Sequence, residues 1–222
     1  MNVGVLGSGS VGQALAGKLA ELGHDVVLGT RDPANVTEKK GYAPSLGEWL
    51  ATVEGAARLG TFAAAAAHGE LIVNALNGLV AVETLQPLAA ALAGKVMIDI
   101  TNPLDFSRGM PPAVLTYDGA SLAEELQRTL PETRVVKSLN TLTAALMVNP
   151  RLLADGDHTV FVAGNDAAAK AQVIALLRGF GWADILDLGD LSAARGLELW
   201  LPLWLQLFGV LGRPAFNLKI VR

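Results

Sequence analysis

Three glycines near the start of the chain have the spacing of a pyrophosphate-binding turn. Gly7, Gly9 and Gly12 match the pattern G-x-G-x-x-G, between an apolar strand-like run at residues 2–6 and a helix-like segment at residues 13–22. In this context the first glycine permits a tight turn, the second lets the backbone approach the pyrophosphate, and the third allows close helix–strand packing. The anion would meet the unpaired N–H groups of the helix N-terminus. The motif therefore predicts a dinucleotide site, with a purely structural turn as the alternative.

The end of the next strand-like run, residues 25–28, indicates which dinucleotide is bound. An NAD site usually has Asp or Glu there, about 20 residues after the glycines, to accept hydrogen bonds from the ribose. In this chain Thr30 and Arg31 hold that place, and Asp32 follows only after them. A guanidinium pairs with a phosphate through two parallel hydrogen bonds, and Thr30 adds a hydroxyl donor. We therefore predict NADP(H), against the alternative of an ordinary solvated arginine.

Asparagine and threonine side chains follow several later strand-like runs. These segments are Asn74-Ala75-Leu76, Thr101-Asn102-Pro103 and Asn140-Thr141. Because ligands of open parallel sheets bind beyond the carboxyl ends of the strands, these side chains are candidates to bond the nicotinamide carboxamide or the ribose. Asn and Thr are also common wherever strands turn into loops. For Asn74 and Thr101 the two explanations are equally good.

The sequence offers little acid–base chemistry at these strand ends. The three histidines, His24, His68 and His158, lie elsewhere, and no Ser-x-x-x-Lys or Tyr-x-x-x-Lys pair stands where a carbonyl reductase needs a proton donor. Asp99 and Lys137 lie within predicted strands, and we interpret them as paired structural charges rather than catalytic acids. We predict no catalytic acid or base, and a reaction in which positioning is the main contribution.

The composition of the 222 residues limits the classes of partner. Hydrophobic residues make up 51% and charged residues 17%, which suggests that a second subunit covers part of the surface. The net charge of −4 and the absence of a basic cluster argue against nucleic acid. There is no cysteine, which excludes disulfides and thiolate chemistry. Met1 and Asn2 lead directly into the first predicted strand, which leaves no room for a signal peptide and predicts the cytoplasm.

Strand-like and helix-like segments alternate along the chain. Strands are predicted at residues 2–6, 25–28, 58–62, 71–76, 95–100, 134–139, 159–163 and 185–188. Helices are predicted at residues 13–22, 45–57, 63–68, 80–93, 121–130, 140–147 and 166–180, a glycine- and proline-rich loop at 104–119, and a loop or short helix at 34–42. This alternation predicts an α/β fold, a Rossmann-type, doubly wound, mostly parallel sheet. We place the cofactor domain at residues 1–140 and a smaller C-terminal α/β extension at 141–222.

The C-terminal extension contains an apolar stretch at residues 199–212. This uncharged run, between Glu198 and Arg213, is 14 residues long, against about 20 needed to cross a bilayer. A membrane span is therefore not expected. A helix that is apolar on every side is buried in a core or against a second subunit. We favour a homodimer contact that also walls the active-site cleft.

Four segments together resemble a known family. They are residues 2–31, Asp-Ile-Thr-Asn-Pro at 99–103, Val-Lys-Ser-Leu-Asn-Thr at 136–141 and Gly-Arg-Pro-Ala-Phe-Asn-Leu-Lys at 212–219. They resemble the NADP oxidoreductases dependent on coenzyme F420, over essentially the full length. The resemblance extends to the cytosolic reductase domain of the six-transmembrane epithelial antigen metalloreductases. It implies direct hydride transfer between the nicotinamide of NADP(H) and the deazaflavin of coenzyme F420, without a dedicated acid or base.

The resemblance also implies roles for individual residues. The glycine turn would hold the pyrophosphate, Thr30 and Arg31 the 2′-phosphate, and Asn140 and Thr141 would face the second ring, with residues 207–212 closing over it. The complete predicted cofactor-binding set is Gly7, Ser8, Gly9, Ser10, Val11, Gly12, Thr30, Arg31, Asn74, Ala75, Leu76, Thr101, Asn102, Pro103, Asn140 and Thr141.

Two departures from the family pattern bear on the acceptor. Asn35 stands where family members often have a second phosphate-binding basic residue, for which Lys39 or Lys40 are possible substitutes, and Asn77-Gly78 lacks the usual bulky residues. Two alternatives therefore stay open. One is an NADPH-dependent reductase of another small-molecule acceptor, such as a flavin, an imine or a small carbonyl. The other is a non-catalytic NADPH-binding redox module.

Overall fold

Ten strands and ten helices make up the fold in a computed structural model that describes residues 1–38, 43–53 and 55–222. The strands are β1 (Asn2–Leu6), β2 (Asp25–Thr30), β3 (Ala57–Thr61), β4 (Leu71–Asn74), β5 (Val96–Asp99), β6 (Leu104–Asp105), β7 (Ala113–Val114), β8 (Arg134–Ser138), β9 (Thr159–Gly164) and β10 (Asp184–Asp187). The helices are α1 (Ser10–Glu21), α2 (Leu46–Thr52), α3 (Phe62–His68), α4 (Ala81–Leu85), α5 (Ala89–Leu92), α6 (Leu122–Thr129), α7 (Ala144–Val148), α8 (Ala167–Gly179), α9 (Ala194–Leu199) and α10 (Leu201–Leu211).

One eight-stranded sheet organises the chain, in the order β10-β9-β8-β5-β4-β1-β2-β3. The six strands from β8 to β3 run parallel, whereas β9 is antiparallel to β8 and β10 is parallel to β9. The predicted Rossmann-type, mostly parallel sheet is therefore confirmed. Strand order reverses at β1, with β2 on one side and β4 on the other, and ligands of such sheets bind at this switch point. The C-terminal strands β9 and β10 extend the same sheet, and the division at residue 140 stays a prediction.

Helices cover both faces of the sheet because its central strands are apolar on both sides. The strands β1, β4 and β5 are almost completely buried. On one face, α1, α7 and α8 contribute residues such as Leu15, Leu146 and Val173 to the larger hydrophobic cluster. On the other face, α3 to α6 contribute residues such as Leu85 and Leu126 to a second cluster. This double burial is typical of parallel sheets and leaves the strand ends as the accessible edge.

Several predicted elements differ from the observed ones. The predicted helix at 80–93 is broken into α4 and α5 by a short 3-10 turn, Gln86–Leu88, because Pro87 has no N–H to continue the helix. The predicted loop at 104–119 contains the small antiparallel hairpin of β6 and β7. The helix after Ser45 ends at Thr52 rather than at 57. Of the segment predicted at 34–42, residues 39–42 lie outside the described part of the chain.

Helix α6 begins with a capping box, in which the Ser121 hydroxyl accepts from the Glu124 N–H and the Glu124 carboxylate accepts from the Ser121 N–H. Ser45 caps α2 with Glu48 in the same way.

The apolar C-terminal stretch forms α10, and most of it faces outward. Leu201 is the only residue of α10 that is buried, whereas Leu203, Phe208 and Val210 are 49%, 40% and 83% exposed. Its aromatic residues stack locally, with Trp204 between Phe208 and Phe216. Within the described residues, no helix has both the length and the apolar character required to cross a bilayer. One alternative was that this stretch is buried in the core of its own subunit, and the exposure of α10 contradicts it.

Candidate functional site

The three glycines of the N-terminal motif differ in how closely the backbone around them is packed. Gly7 has a positive φ of 115°, and a Cβ there would lie 2.3 Å from the Ala75 carbonyl oxygen. A Cβ on Gly12 would lie 1.8 Å from the Gly7 carbonyl oxygen. A Cβ on Gly9 would instead meet no atom within 4 Å, so this side of the turn is open space. The backbone is thus closely packed at the first and third glycines and accessible at the second.

The N-terminus of α1 is available to an anion. Gly9 is its N-cap residue, no side chain caps the helix, and its first turn contains no acidic residue. Unpaired N–H groups and the positive end of the helix dipole therefore point out of the sheet beside Gly9. A pyrophosphate fits this arrangement of open space and unpaired donors.

A cleft of about 520 Å³ continues from the glycine turn toward the end of β2. Its lining residues are Gly7, Ser8, Gly9, Thr30, Arg31, Phe62, Ala75, Leu76, Asn77, Val80 and Thr84. The Arg31 side chain is exposed and makes no ion pair with any residue that the structure describes. Thr30 is nearly buried, and its hydroxyl oxygen accepts a hydrogen bond from the Ser8 hydroxyl at 3.1 Å. Among the described lining residues Arg31 is the only cation, and it lies at the end of β2, where the 2′-phosphate of NADP is predicted to bind.

A second cleft, of about 260 Å³, adjoins the first across the ends of β4 and β5. Its lining residues are Val11, Ala75, Leu76, Asn77, Gly78, Ile100, Thr101, Asn102, Leu104 and Phe106. The segment from Ala75 to Asn77 lines both clefts, so they lie side by side along the carboxyl edge of the sheet. Gly78 lets the backbone after β4 approach the backbone after β5 closely, since a Cβ there would lie 2.2 Å from the Asn102 carbonyl oxygen. Two adjoining clefts at a strand edge suit an extended dinucleotide.

Asn102 and Asn140 join the ends of β5 and β8. Asn140 Nδ2 donates to Asn102 Oδ1 at 2.9 Å and to the Leu197 carbonyl at 3.0 Å. Asn102 Nδ2 donates to the Asn140 carbonyl at 2.9 Å. Leu139, which directly precedes Asn140, has a φ of 62°, an uncommon conformation for a buried leucine. The strand end is thus turned sharply, and the amide group of Asn140 is committed to the protein.

Asn74 and Thr101 are held from behind by Asp99. Asn74 Nδ2 donates to Asp99 Oδ1 at 2.9 Å, and the Thr101 hydroxyl donates to the same oxygen at 2.7 Å. Asn74 is fully buried, so we interpret it as a support of the site rather than as part of its surface. The predicted structural pairing of Asp99 with Lys137 is confirmed by an N–O distance of 2.8 Å.

The charge of Lys137 is fixed by its surroundings. Burial acts to lower the pKa of its ammonium group, but the neighbouring carboxylates of Asp99 and Glu198 outweigh that effect and raise the pKa above its ordinary value. Lys137 therefore stays protonated, and its three hydrogen bonds go to Asp99, the Thr101 carbonyl and Glu198.

The other predicted residues take varied places. Ser10 is exposed and lines a separate groove of about 620 Å³ with Gln13 and Trp49, on the far side of α1 from the strand ends. Pro103 and Thr141 are buried, and the Thr141 hydroxyl makes no hydrogen bond within the part of the chain that the structure describes. The Asn35 side chain is hydrogen-bonded to Glu38, so it is not part of the predicted 2′-phosphate site. The alternatives Lys39 and Lys40 lie outside the described residues.

Several residues at or behind this site were not predicted from the sequence. Phe62, Val80 and Thr84 line the larger cleft, and Glu198 contacts Lys137 from α9. Phe62 is the last residue of the predicted third strand, and an aromatic residue at a strand end was a usable signal. No comparable signal in the sequence indicated that Glu198 lies near the other site residues.

The described residues that line the two clefts include few groups that could act as an acid or a base. Arg31 is the only ionisable side chain among the described residues that line them. The remaining lining consists of backbone, amide, hydroxyl and apolar groups. Such a lining is suited to bind, orient and desolvate a ligand.

Comparison with known proteins finds relatives among NADP-dependent reductases. Residues 2–103 match the model of a family described as NADP oxidoreductase coenzyme F420-dependent. The chain is 30% identical over 213 residues to the F420-dependent NADP reductase of Methanothermobacter marburgensis, covering 93% of this chain and 92% of that protein. It superimposes with a TM-score of 0.94 on a candidate F420-dependent NADP reductase from Arthrobacter sp. FB24, at 50% identity and with complete coverage of both chains.

A second group of relatives is much longer. The chain is 32% identical over 197 residues to metalloreductase STEAP3 of Rattus norvegicus, which covers 88% of this chain and 35% of that protein. The chain thus spans about a third of the length of the metalloreductases it matches. The near-complete coverage of the Methanothermobacter enzyme assigns the family: the chain belongs to the F420-dependent NADP reductases.

Proposed function

We propose that the protein transfers hydride directly between NADP(H) and the deazaflavin ring of coenzyme F420. The observation that carries this proposal is a pair of adjoining strand-end clefts whose only described ionisable lining residue is the phosphate-binding candidate Arg31. A hydride transfer between two stacked rings needs no proton donor from the protein, whereas a carbonyl reductase does. Membership in the F420-dependent NADP reductases supports the same assignment.

The residues present suit NADP(H). The open side of Gly9 and the uncapped N-terminus of α1 would hold the pyrophosphate, and the Arg31 guanidinium would hold the 2′-phosphate. Phe62 and Val80 supply apolar surface beside Arg31, where the adenine would lie. When bound, NADPH supplies the hydride and coenzyme F420 accepts it.

The protein's own contribution is then geometric. The joined side chains of Asn102 and Asn140 fix the wall at the ends of β5 and β8. Phe106, half exposed at the rim of the smaller cleft, excludes water from one side of it. Holding two rings in a reactive arrangement can account for many powers of ten in rate without any shift in a catalytic pKa.

An acceptor assay tests this proposal. The protein is mixed anaerobically with NADPH and one oxidised acceptor at a time: coenzyme F420, FMN, FAD or a cyclic imine. We expect rapid NADPH oxidation with coenzyme F420 and little with the others. Turnover only with a flavin or an imine would replace the acceptor, and NADPH binding without any turnover would favour the non-catalytic redox module.

We also propose that the protein is a homodimer and that α10 lies in the contact. The support is the row of exposed apolar side chains at Leu203, Phe208, Val210 and Leu211, which is costly to leave in water. The proposed location is the cytoplasm, as predicted from the sequence.

A further inference from the structure

A buried ion cluster lies directly behind the strand ends that line the smaller cleft. It consists of Asp99, Lys137 and Glu198, whose side chains are at most 2% exposed. Lys137 Nζ lies 2.8 Å from Asp99 Oδ2 and 2.8 Å from Glu198 Oε1, and its third hydrogen bond goes to the Thr101 carbonyl. Apolar residues of the same volume often give equal or greater stability than such a cluster. Stability alone is therefore a weak reason for its presence.

The cluster contains two carboxylates and one ammonium group, and the surplus negative charge is compensated from two sides. Asp99 Oδ1 accepts from Asn74 Nδ2 and from the Thr101 hydroxyl. Glu198 accepts from the backbone N–H groups of the first two residues of α6, at 2.8 and 3.2 Å. The positive end of the α6 dipole favours a carboxylate at this place. The cluster thus joins the ends of β4 and β5, the strand β8, and the helices α6 and α9.

Two consecutive residues of α9 contact the strand ends. Glu198 reaches Lys137, 61 positions earlier in the chain, and the Leu197 carbonyl accepts from Asn140 Nδ2 at 3.0 Å. The helix α10 begins at Leu201, immediately after α9. The position of α10 relative to the ends of β5 and β8 therefore depends on these two contacts.

We infer that Glu198 is a positioning residue that, through Lys137, fixes the ends of β5 and β8 against α9 and α10. This inference rests on the proposed hydride transfer, because it makes the spacing of the two rings depend on the buried cluster. A displacement of about 1 Å at such a site can cost about a hundredfold in rate. Glu198 itself touches neither ring in this arrangement.

The chain offers a matched control for the tethering of α9. Arg195 of α9 binds Glu124 of α6 through two hydrogen bonds of 2.9 and 2.6 Å, at the surface. This ion pair joins the same two helices as Glu198 but makes no contact with the strand ends. Arg195→Gln therefore loosens α9 from α6 alone, whereas Glu198→Gln also removes the negative charge that pairs with Lys137.

The experiment compares Glu198→Gln and Arg195→Gln with the unaltered protein. It measures the NADPH dissociation constant, the single-turnover rate constant of hydride transfer to coenzyme F420, and backbone amide exchange by mass spectrometry. For Glu198→Gln we expect a rate constant lower by about tenfold to a hundredfold, a dissociation constant within about twofold, and faster exchange at residues 99–103 and 139–142. For Arg195→Gln we expect faster exchange in α9 alone and an unchanged rate constant. If Glu198→Gln does not fold, Glu198→Asp, which keeps the charge but shortens the side chain, is expected to show the same pattern more weakly.

Two results would overturn the inference. One is an equal loss of rate in the two variants, which would mean that tethering α9 to α6 is sufficient. The other is unchanged exchange at the strand ends in Glu198→Gln. Failure of the proposed function has a different signature, namely no hydride transfer in the unaltered protein. The exchange measurement needs no acceptor, so in that case it still tests whether Glu198 fixes the strand ends.

Discussion

Asn140 and Asn102 exchange two hydrogen bonds of 2.9 Å between the ends of β8 and β5. Asn140 Nδ2 also donates to the Leu197 carbonyl, so both of its side-chain N–H groups are used within the protein. Only Oδ1 of Asn140 is left for a ligand, and it can accept but not donate a hydrogen bond. The pair is therefore held rigidly by the protein, which suits the proposed role of the site in positioning two rings.

Arg31 is predicted to select NADPH over NADH. Losing a charge-assisted bidentate contact costs about 1.5–3 kcal/mol, or about tenfold to a hundredfold in affinity. Arg31→Ala should weaken NADPH binding by that factor and leave NADH binding nearly unchanged, as measured by fluorescence titration. Arg128→Ala, an exposed arginine on α6, is the control and should change neither. Equal weakening of both cofactors in Arg31→Ala would contradict the assignment.

Alanine substitutions at two glycines of the turn should affect different properties, namely NADPH affinity at Gly9 and stability at Gly12. In Gly9→Ala the new Cβ enters open space, so thermal stability should be retained, while NADPH affinity should fall by about tenfold or more because the pyrophosphate loses its approach to the backbone. In Gly12→Ala the new Cβ collides with the Gly7 carbonyl, which should lower the free energy of unfolding by about 1–3 kcal/mol or more. Unimpaired NADPH binding by Gly9→Ala would place the pyrophosphate elsewhere.

The surface ion pair between α6 and α9 predicts a pH-dependent contribution to stability. Hydrogen bonding by Arg195 lowers the pKa of Glu124 to about 2 from an ordinary value of 4.5. The contribution is therefore complete above about pH 4.5 and is lost as the pH falls toward 2. Glu124→Gln, which keeps the shape of the capping box, should reduce the free energy of unfolding at pH 7 by at most about 1 kcal/mol after solvent screening.

Urea titrations of the two proteins at pH 7, 4 and 2.5 would check this dependence. The difference between Glu124→Gln and the unaltered protein should shrink along that series. A difference that stays constant would show that the carboxylate charge is not responsible.

The exposed face of α10 predicts a change in assembly. A charge at Leu203 should prevent a hydrophobic contact between two copies, so Leu203→Asp should be a monomer or aggregate where the unaltered protein is a dimer. Light scattering at micromolar concentration measures this directly. Leu152→Asp is the control, because Leu152 is 61% exposed and belongs to another part of the surface. A monomeric unaltered protein would rule out the proposed contact.

Local patterns predicted the elements around the glycine turn well. The order of β1, the glycine turn, α1 and β2 follows from hydrophobic periodicity and glycine spacing, both of which act over a few residues. The parallel sheet then places all its carboxyl ends at one edge, which is why Asn102 and Asn140 could be expected near each other. Their mutual hydrogen bonds, and the use of the Asn140 amide within the protein, depend on side-chain packing that spacing does not encode.

Long-range contacts account for what the sequence did not reveal. Lys137 could be paired with Asp99 because neighbouring strands bring them together, but Glu198 reaches Lys137 from a helix 61 positions later. Nothing in the local sequence of α9 marks that acid as buried. Similarly, the apolar composition of α10 predicted that it would be covered, yet composition cannot specify the covering surface.

The central claim is that hydride passes directly from the nicotinamide to the deazaflavin. The measurement that tests it most directly uses NADPH carrying deuterium at the transferred position, together with the protein and oxidised coenzyme F420 in ordinary water. Mass spectrometry then locates the label. We predict that the label is recovered in the reduced deazaflavin; deuterium released to the solvent, or no reaction despite tight NADPH binding, would contradict the claim.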